Sequence, residues 1–301
     1  MLGGSVWSRP APPQVAGVSG FQDGFTYRIR VRARDNTAPI GNLEPVISSI
    51  TFTFNETAPA VAITNPVPGS YKRSVATLGG TASGNFGVSV ASIAVQEIAS
   101  GYWWNGATFT APGTKQWFTA ILTGGPVNYT FSYTSNTLTF QDNYQYFIDA
   151  RAEDTAGNPG NMGALASFTF DTSEPNSNFT VAPAQRPLSN LSAISGVAAD
   201  PNTNASGVYK TEVTIQRPDN AYWQPGGGWA GGAAVWLPTT GAPAWTKTTN
   251  LPPSDNSTGL LDGLKYTIGS RSVDVAGSTQ AAVNFSTFTF DVTLPGVAVT
   301  E

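Results

Sequence analysis

Asp142-Asn143-Tyr144-Gln145-Tyr146-Phe147-Ile148, running on to Asp154, decides the fold, because the chain contains this stretch three times. Asp23-Gly24-Phe25-Thr26-Tyr27-Arg28-Ile29 runs on to Asp35, and Asp262-Gly263-Leu264-Lys265-Tyr266-Thr267-Ile268 runs on to Asp274. A second block follows each copy: Phe52-Thr53-Phe54-Asn55, Phe168-Thr169-Phe170-Asp171 and Phe288-Thr289-Phe290-Asp291. The copies recur at a spacing of about 120 residues, and fixed-period self-similarity means an array of like units. Within the stretch, Tyr146, Ile148, Ala150 and Ala152 share one parity, as do Tyr27, Ile29, Val31 and Ala33, and Tyr266, Ile268, Ser270 and Ser272. That period of two predicts a half-buried strand.

Working outward, further strands are expected at Val61–Ile63, Ala91–Gln96, Val127–Tyr133, Tyr209–Gln216 and Ala244–Thr248. Turn pairs such as Asn65-Pro66, Pro68-Gly69, Asn105-Gly106 and Asp262-Gly263 punctuate them. No segment has sustained helical periodicity. Short strands with frequent turns predict antiparallel sandwiches.

Composition narrows the function. Charged residues are 11% of the 301, against roughly 25% in an ordinary globular chain. Thr, Ser, Asn and Gly take their place, as in exported fibres and surface layers. The chain has no Cys and no His, which removes Ser-His-Asp and Cys-His catalysis and the usual zinc sites. The formal net charge of −4, with no basic run beyond the alternating Arg28 to Arg34, argues against a nucleic-acid partner. No apolar run reaches the roughly 20 residues that span a bilayer. The start lacks a signal-peptide pattern, so a natural chain beginning upstream of Met1 is expected.

Asp154-Thr155-Ala156-Gly157-Asn158 resembles the Asp-x-Ala-Gly-Asn turn of bacterial immunoglobulin-like repeats in extracellular adhesins and other surface repeat proteins. Asp274-Val275-Ala276-Gly277-Ser278 departs from it at the last residue, and Asp35-Asn36-Thr37-Ala38-Pro39 departs further. Thr57-Ala58-Pro59 is similar to the linker of such repeats. The resemblance implies an all-β fold of tandem immunoglobulin-like antiparallel β-sandwiches in series. The expected division is the C-terminal half of a repeat in residues 1–57, complete repeats in 58–173 and 174–293, and the first strand of a further repeat in 294–301. Trp7 matches Trp245 in this scheme, and an inserted hairpin is expected near Tyr102–Trp117 and Tyr222–Trp236.

Tyr27, Tyr146 and Tyr266 stand where a tyrosine corner would sit. Pro59, Pro175 and Pro295 are expected to stiffen the linkers by fixing φ. Trp104, Trp223 and Trp229 are candidates for stacking on sugar rings, against the weightier reading that such tryptophans fill the core. Trp229, in a glycine-rich stretch, is the expected exposed ring.

For metal, oxygen side chains alternate in Asp200-Pro201-Asn202-Thr203-Asn204 as in a calcium loop. The stretch lacks the following Gly and the acid at the twelfth position, so a plain turn is the first reading. Asp154 with Asp171, and Asp274 with Asp291, are candidate calcium pairs at the linkers; Asn55 in place of Asp171 weighs against them. No cofactor other than calcium is a candidate. Lys72, Lys115, Lys210, Lys247 and Lys265 occupy no equivalent positions that would suggest isopeptide cross-links, and no isolated acid pair marks a glycosidase.

The expectation is therefore an extracellular, non-catalytic structural or adhesive repeat protein at the cell surface. Its expected partners are neighbouring repeats of the same or an identical chain, and a cell-surface or glycan ligand. The runner-up is a carbohydrate-binding array using the Trp-rich insertions.

Overall fold

The computed structural model describes residues 8, 20–110, 113–160, 164–181 and 187–297. Trp7, and residues 298–301 of the expected terminal strand, lie outside the described residues, and residues 294–297 of that expected strand form no strand.

Strands β1 (Thr26–Val31) and β2 (Ser48–Thr53) form an antiparallel ribbon. Ten strands follow: β3 (Ala60–Asn65), β4 (Ser70–Lys72), β5 (Leu78–Ser83), β6 (Val88–Glu97), β7 (Tyr102–Trp103), β8 (Phe118–Thr119), β9 (Ile121–Gly124), β10 (Asn128–Tyr133), β11 (Tyr144–Asp154) and β12 (Ala164–Phe170). They form one sheet in the order β3-β5-β10-β9 and another in the order β4-β12-β11-β6-β7, with β8 also on β6. The plan then recurs in β13 (Asn176–Val181), β14 (Pro187–Leu188), β15 (Ile194–Ala199), β16 (Val208–Gln216), β17 (Tyr222–Trp223), β18 (Trp229–Ala230), β19 (Leu237–Pro238), β20 (Ala244–Lys247), β21 (Lys265–Asp274) and β22 (Asn284–Phe290). Here the sheets are β13-β15-β20 and β14-β22-β21-β16-β17-β18, with β19 on β16.

The opening strand of each sandwich changes sheets. β3 pairs antiparallel with β5, whereas β4, a few residues on, runs parallel to β12. β13 and β14 divide between the two sheets in the same way. One strand thus stitches the two layers at one edge, as in immunoglobulin-like sandwiches. The protein is all-β, with such sandwiches in series.

The two repeated motifs are neighbours in register. Tyr146 pairs with Phe168, Tyr266 with Phe288, and Tyr27 with Phe52. The rings stack with centroids 5.6, 5.4 and 5.7 Å apart, a cross-strand aromatic pair contributing about 0.5–1.5 kcal/mol beyond its burial. Tyr146, Ile148, Ala150 and Ala152 are buried, against Ile63, Leu78, Ile93, Val95 and Phe131. Tyr266 and Ile268 are buried with Ile194, Val213, Ile215 and Trp245. The inward Ser270 and Ser272 avoid a desolvation penalty by bonding to Ser177 Oγ at 3.0 Å and Thr211 Oγ1 at 2.9 Å. In the ribbon no second layer covers the same parity among the described residues, and Ile29 stays 45% exposed.

The insertions return onto the sandwich. Gln96 pairs with Trp103, and Gln216 with Tyr222. Arg151 lies 4.4 Å from the Trp117 ring and Arg271 4.1 Å from the Trp236 ring, a matched cation–π contact on the outer face of each sandwich.

Candidate functional site at the unit junctions

The site is built from two turns per unit, one at each end of the long strand that carries the repeated motif. At the first end, an Asp begins the turn and the next residue takes positive φ: Gly24 at 79°, Asn143 at 63° and Gly263 at 72°. Gly and Asn accept that conformation most readily. The Tyr four residues after each Asp accepts a backbone N–H: Gln22 to Tyr27 at 2.7 Å, Gln141 to Tyr146 at 2.8 Å, Leu261 to Tyr266 at 2.8 Å. Burial pushes the Tyr146 phenol up to about 12, the strongest cause. The Asp itself reaches the exit linker of its unit. Asp23 accepts from Glu56 N at 2.6 Å and from Thr57 Oγ1. Asp142 accepts from Thr172 N at 2.5 Å and from Ser173 N at 3.2 Å. Asp262 accepts from Val292 N at 2.8 Å and Thr293 Oγ1 at 2.6 Å. Hydrogen bonds hold all three carboxyls below the usual value; at Asp142 they outweigh burial, which is the largest single cause and acts the other way. Among the turn pairs expected from the sequence, only Asp262-Gly263 contains one of these acids. Their recurrence four residues ahead of each Tyr was the available signal.

At the far end of the strand lies the Asp-x-Ala-Gly turn. In the second unit it is saturated. Asp154 Oδ1 accepts from Ala156 N at 2.8 Å and Asn158 N at 2.9 Å. Its Oδ2 accepts from Asn158 Nδ2 at 2.9 Å and, across the junction, from Asn55 Nδ2 at 2.6 Å. Asn158 Nδ2 also donates to Asn55 O at 2.9 Å. The Asp154 carboxyl is held low by these bonds against the opposing, and largest, effect of burial.

In the third unit the same turn is starved. Ser278 stands at the Asn158 position, so there is no amide side chain to donate. Asp274 Oδ1 accepts from Ser278 N at 2.7 Å, and Oδ2 is buried without a partner. Opposite it, where the earlier junction has Asn55, stands Asp171, fully buried. Asp200, where the earlier unit has Gly84 after its second long strand, completes the group. Carboxylate oxygens of Asp171, Asp200 and Asp274 all lie within 4.8 Å of one another. Asp171 accepts from Ser173 N at 3.1 Å and Ser206 N at 2.6 Å. Asp200 Oδ2 accepts from Gly207 N at 2.8 Å, while its Oδ1 is buried and unpartnered. Burial, then repulsion from neighbouring carboxylates, pushes the Asp200 and Asp274 carboxyls up.

These contacts correct two expectations. Asp154 and Asp171 do not meet. Tyr144 pairs with Phe170 at one end of β11 while Asp154 ends the strand, which at about 3.3 Å per residue is some 33 Å away. Asp274 and Asp291 are separated in the same way along β21, and Asp291 is exposed, accepting from Thr293 N at 3.0 Å. The acids that meet belong to successive units. Nor does Asn202 point at the acids: its amide donates to Ser173 Oγ, and Asn204 Nδ2 donates to Asn143 O at 2.9 Å. The loop 200–206 is a clamp on the preceding unit. Arg73 Nη1 adds a bond to Gly277 O at 2.9 Å, and Ala281 N one to Glu174 Oε2 at 2.8 Å.

Pro59 and Pro175 are buried and Pro295 is exposed. Pro59 packs against Gly84 and Gly160, and a Cβ at Gly160 would collide with it.

The sugar-stacking expectation is also corrected. Trp104 is buried against Phe118 and Tyr133, and Trp223 is buried with its Nε1 donating to Asn250 O at 3.1 Å. Trp229 is half-buried between Trp223 and Tyr266, with its Nε1 on Gly259 O at 2.9 Å. Its ring also has the Arg217 guanidinium 5.3 Å from its centroid. Among the described residues, no helix is long and apolar enough to cross a membrane.

No family model matches the chain, and no curated protein matches it. Solved structures similar to it include the fibronectin(III)-like modules of Clostridium thermocellum CbhA, at 12% identity and a TM-score of 0.37 over 80% of this chain and 100% of that one. Another is the FN1–FN3 domains of chicken CNTN1, at 14% identity and a TM-score of 0.36, covering 88% of this chain and 76% of that one. A third belongs to a 1.5-MDa bacterial ice-binding adhesin studied for host cell surface retention, at 13% identity and a TM-score of 0.29, over 90% of this chain and 75% of that one.

Proposed function

We propose that this chain is a load-bearing segment of an extracellular repeat protein, a stalk or adhesin shaft, with no catalytic role. The observation that carries the reading is that each unit is tied to the next by side chains from both: Asn55 to Asp154, Asn202 to Ser173, Asn204 to Asn143, Arg73 to Gly277. Such ties hold successive sandwiches at a fixed spacing, which is what a shaft must do and a catalytic domain need not. The Asp of each repeated turn belts the exit linker to its own unit, so tension enters at a braced point. Low charge and a Thr/Ser/Asn/Gly-rich surface support an exported setting. The division into repeats at 58–173 and 174–293 belongs to the same reading.

Single-molecule stretching of the full chain tests it. The expected trace has two discrete unfolding events, each lengthening the chain by about 40 nm, the contour of a unit of this size. Unfolding without resolvable force peaks would overturn the mechanical reading. Quenching of Trp emission by soluble polysaccharides would favour the carbohydrate-binding alternative.

A further inference from the structure

The outward side of the first ribbon carries a row of arginines. Four of the chain's 15 lysines and arginines fall within seven residues: Arg28, Arg30, Arg32 and Arg34. Tyr27 holds the opposite parity and packs on Phe21 and Phe52. Arg28 and Arg30 therefore share the other face of β1, about 7 Å apart along the strand, and Arg32 and Arg34 continue the alternation past its end. All four are exposed, and among the described residues none pairs with an acid. The acids of the ribbon are held by backbone amides instead. Glu44 Oε2 accepts from Ala33 N at 3.1 Å, Asp35 Oδ1 from Thr37 N at 3.2 Å, and Asp23 Oδ1 from Glu56 N at 2.6 Å.

The other units show that the fold does not require this row. Phe147 and Thr267 stand at the Arg28 position, Asp149 and Gly269 at Arg30, and Glu153 and Val273 at Arg34. Arg32 alone has a cation at its position in each unit, Arg151 and Arg271, and those two lie over Trp117 and Trp236. Three further cations are thus set beside it on a chain otherwise poor in charge. Like charges this close repel, and an anionic partner would offset that.

The neighbours of the row select the partner. Across the ladder Arg28 faces Thr51, Arg30 faces Ser49 and Thr26 faces Thr53. These are hydroxyls, not the rings on which the bases of a single-stranded nucleic acid stack. A duplex carries one charge per about 1.7 Å, which the chain's net charge of −4 disfavours. A polysaccharide with one carboxylate per ring is less densely charged, and its hydroxyls match Ser49 and Thr51. Guanidinium groups take carboxylates bidentately.

We propose that Arg28, Arg30, Arg32 and Arg34, flanked by Ser49 and Thr51, bind an acidic polysaccharide whose uronate carboxylates run along the strand. The choice of a glycan rests on the extracellular reading, whereas the row itself does not, so stretching and binding can fail separately.

Biolayer interferometry of the full chain on immobilised polygalacturonate tests it. Binding is expected in about 0.05 M salt and should weaken steeply by about 1 M, where the Debye length falls to about 3 Å. Arg28→Ser with Arg30→Ser should weaken it about tenfold or more, the loss of two charge-assisted contacts. The Tm should not change, because both side chains are exposed. Arg28→Lys with Arg30→Lys should keep only part of the affinity, since the charge stays and the bidentate fork goes. Lys265→Ser, exposed at the head of β21, should bind as the parent does. If the double serine variant lost the fold by circular dichroism, Arg30→Ser alone, expected to weaken binding severalfold, would decide. No binding to polygalacturonate at low salt would overturn the proposal, as would binding that survives the serine substitutions. Tighter binding to single-stranded DNA or to anionic lipid vesicles would overturn the glycan assignment, and equal binding to neutral dextran would overturn the role of charge.

Discussion

At the residue scale, Tyr27, Tyr146 and Tyr266 each hold a backbone amide five residues upstream, and the Asp four residues before each holds the exit linker. Leu261 N and the Tyr266 hydroxyl meet at a part-buried position, so removing the acceptor takes from the amide its protein partner. Tyr266→Phe is expected to destabilise the third unit by about 1–3 kcal/mol, read by denaturant unfolding. A loss below about 0.5 kcal/mol would mean that water replaces the hydroxyl. The Asp clamps set a pH dependence of definite sign. Folded carboxyls at Asp142 and Asp262 lie below their ordinary 3.8. Their bonds therefore stabilise fully above that value and are lost as pH falls through the lower folded one. Carboxyl NMR titration should give midpoints under 3.8 for both, and protection of the Thr172 and Val292 amides should fall in parallel.

At the element scale, the alternation around each Tyr was enough to place β1, β11 and β21, because a strand with one buried face must carry period two. The five other strands expected between the repeated motifs all occur, at β3, β6, β10, β16 and β20. The pairing partners needed the structure. Gly80 lies opposite Phe131, and Gly196 opposite Trp245, so a glycine on one strand makes room for an aromatic ring on the next. A Cβ at Gly196 would lie inside contact distance of both Asn178 O and the Trp245 ring. Gly196→Ala is expected to cost more than about 2 kcal/mol in equilibrium unfolding of the third unit. Gly226→Ala, where a Cβ meets nothing within 4 Å, should stay within about 0.5 kcal/mol of the parent. Equal effects at the two sites would overturn this packing argument.

At the scale of the whole molecule, behaviour is decided where units meet. Asn55→Asp would put a carboxylate against Asp154 Oδ2 in place of a donor, with Gly84 offering no third acid. The first junction should then weaken by about 1–3 kcal/mol at neutral pH, visible as faster amide exchange at Asn158 and the 55–57 linker. Unchanged exchange there would mean that the Asn55 amide is not what closes that junction. The sequence by itself determined that the chain is a series of like β-units, and which acids recur. Both facts are written in local spacing, through alternation along strands and repetition along the chain. Only the tertiary structure decided which acids meet. A strand as long as β11 carries the two motifs of one unit to opposite ends, so the contact forms between one unit's exit and the next unit's turn. The tryptophans were decided in the same way: spacing placed them in the insertions, but only packing turned Trp104, Trp223 and Trp229 inward, because burying a large ring against its own sandwich removes more apolar surface from water than leaving it outside.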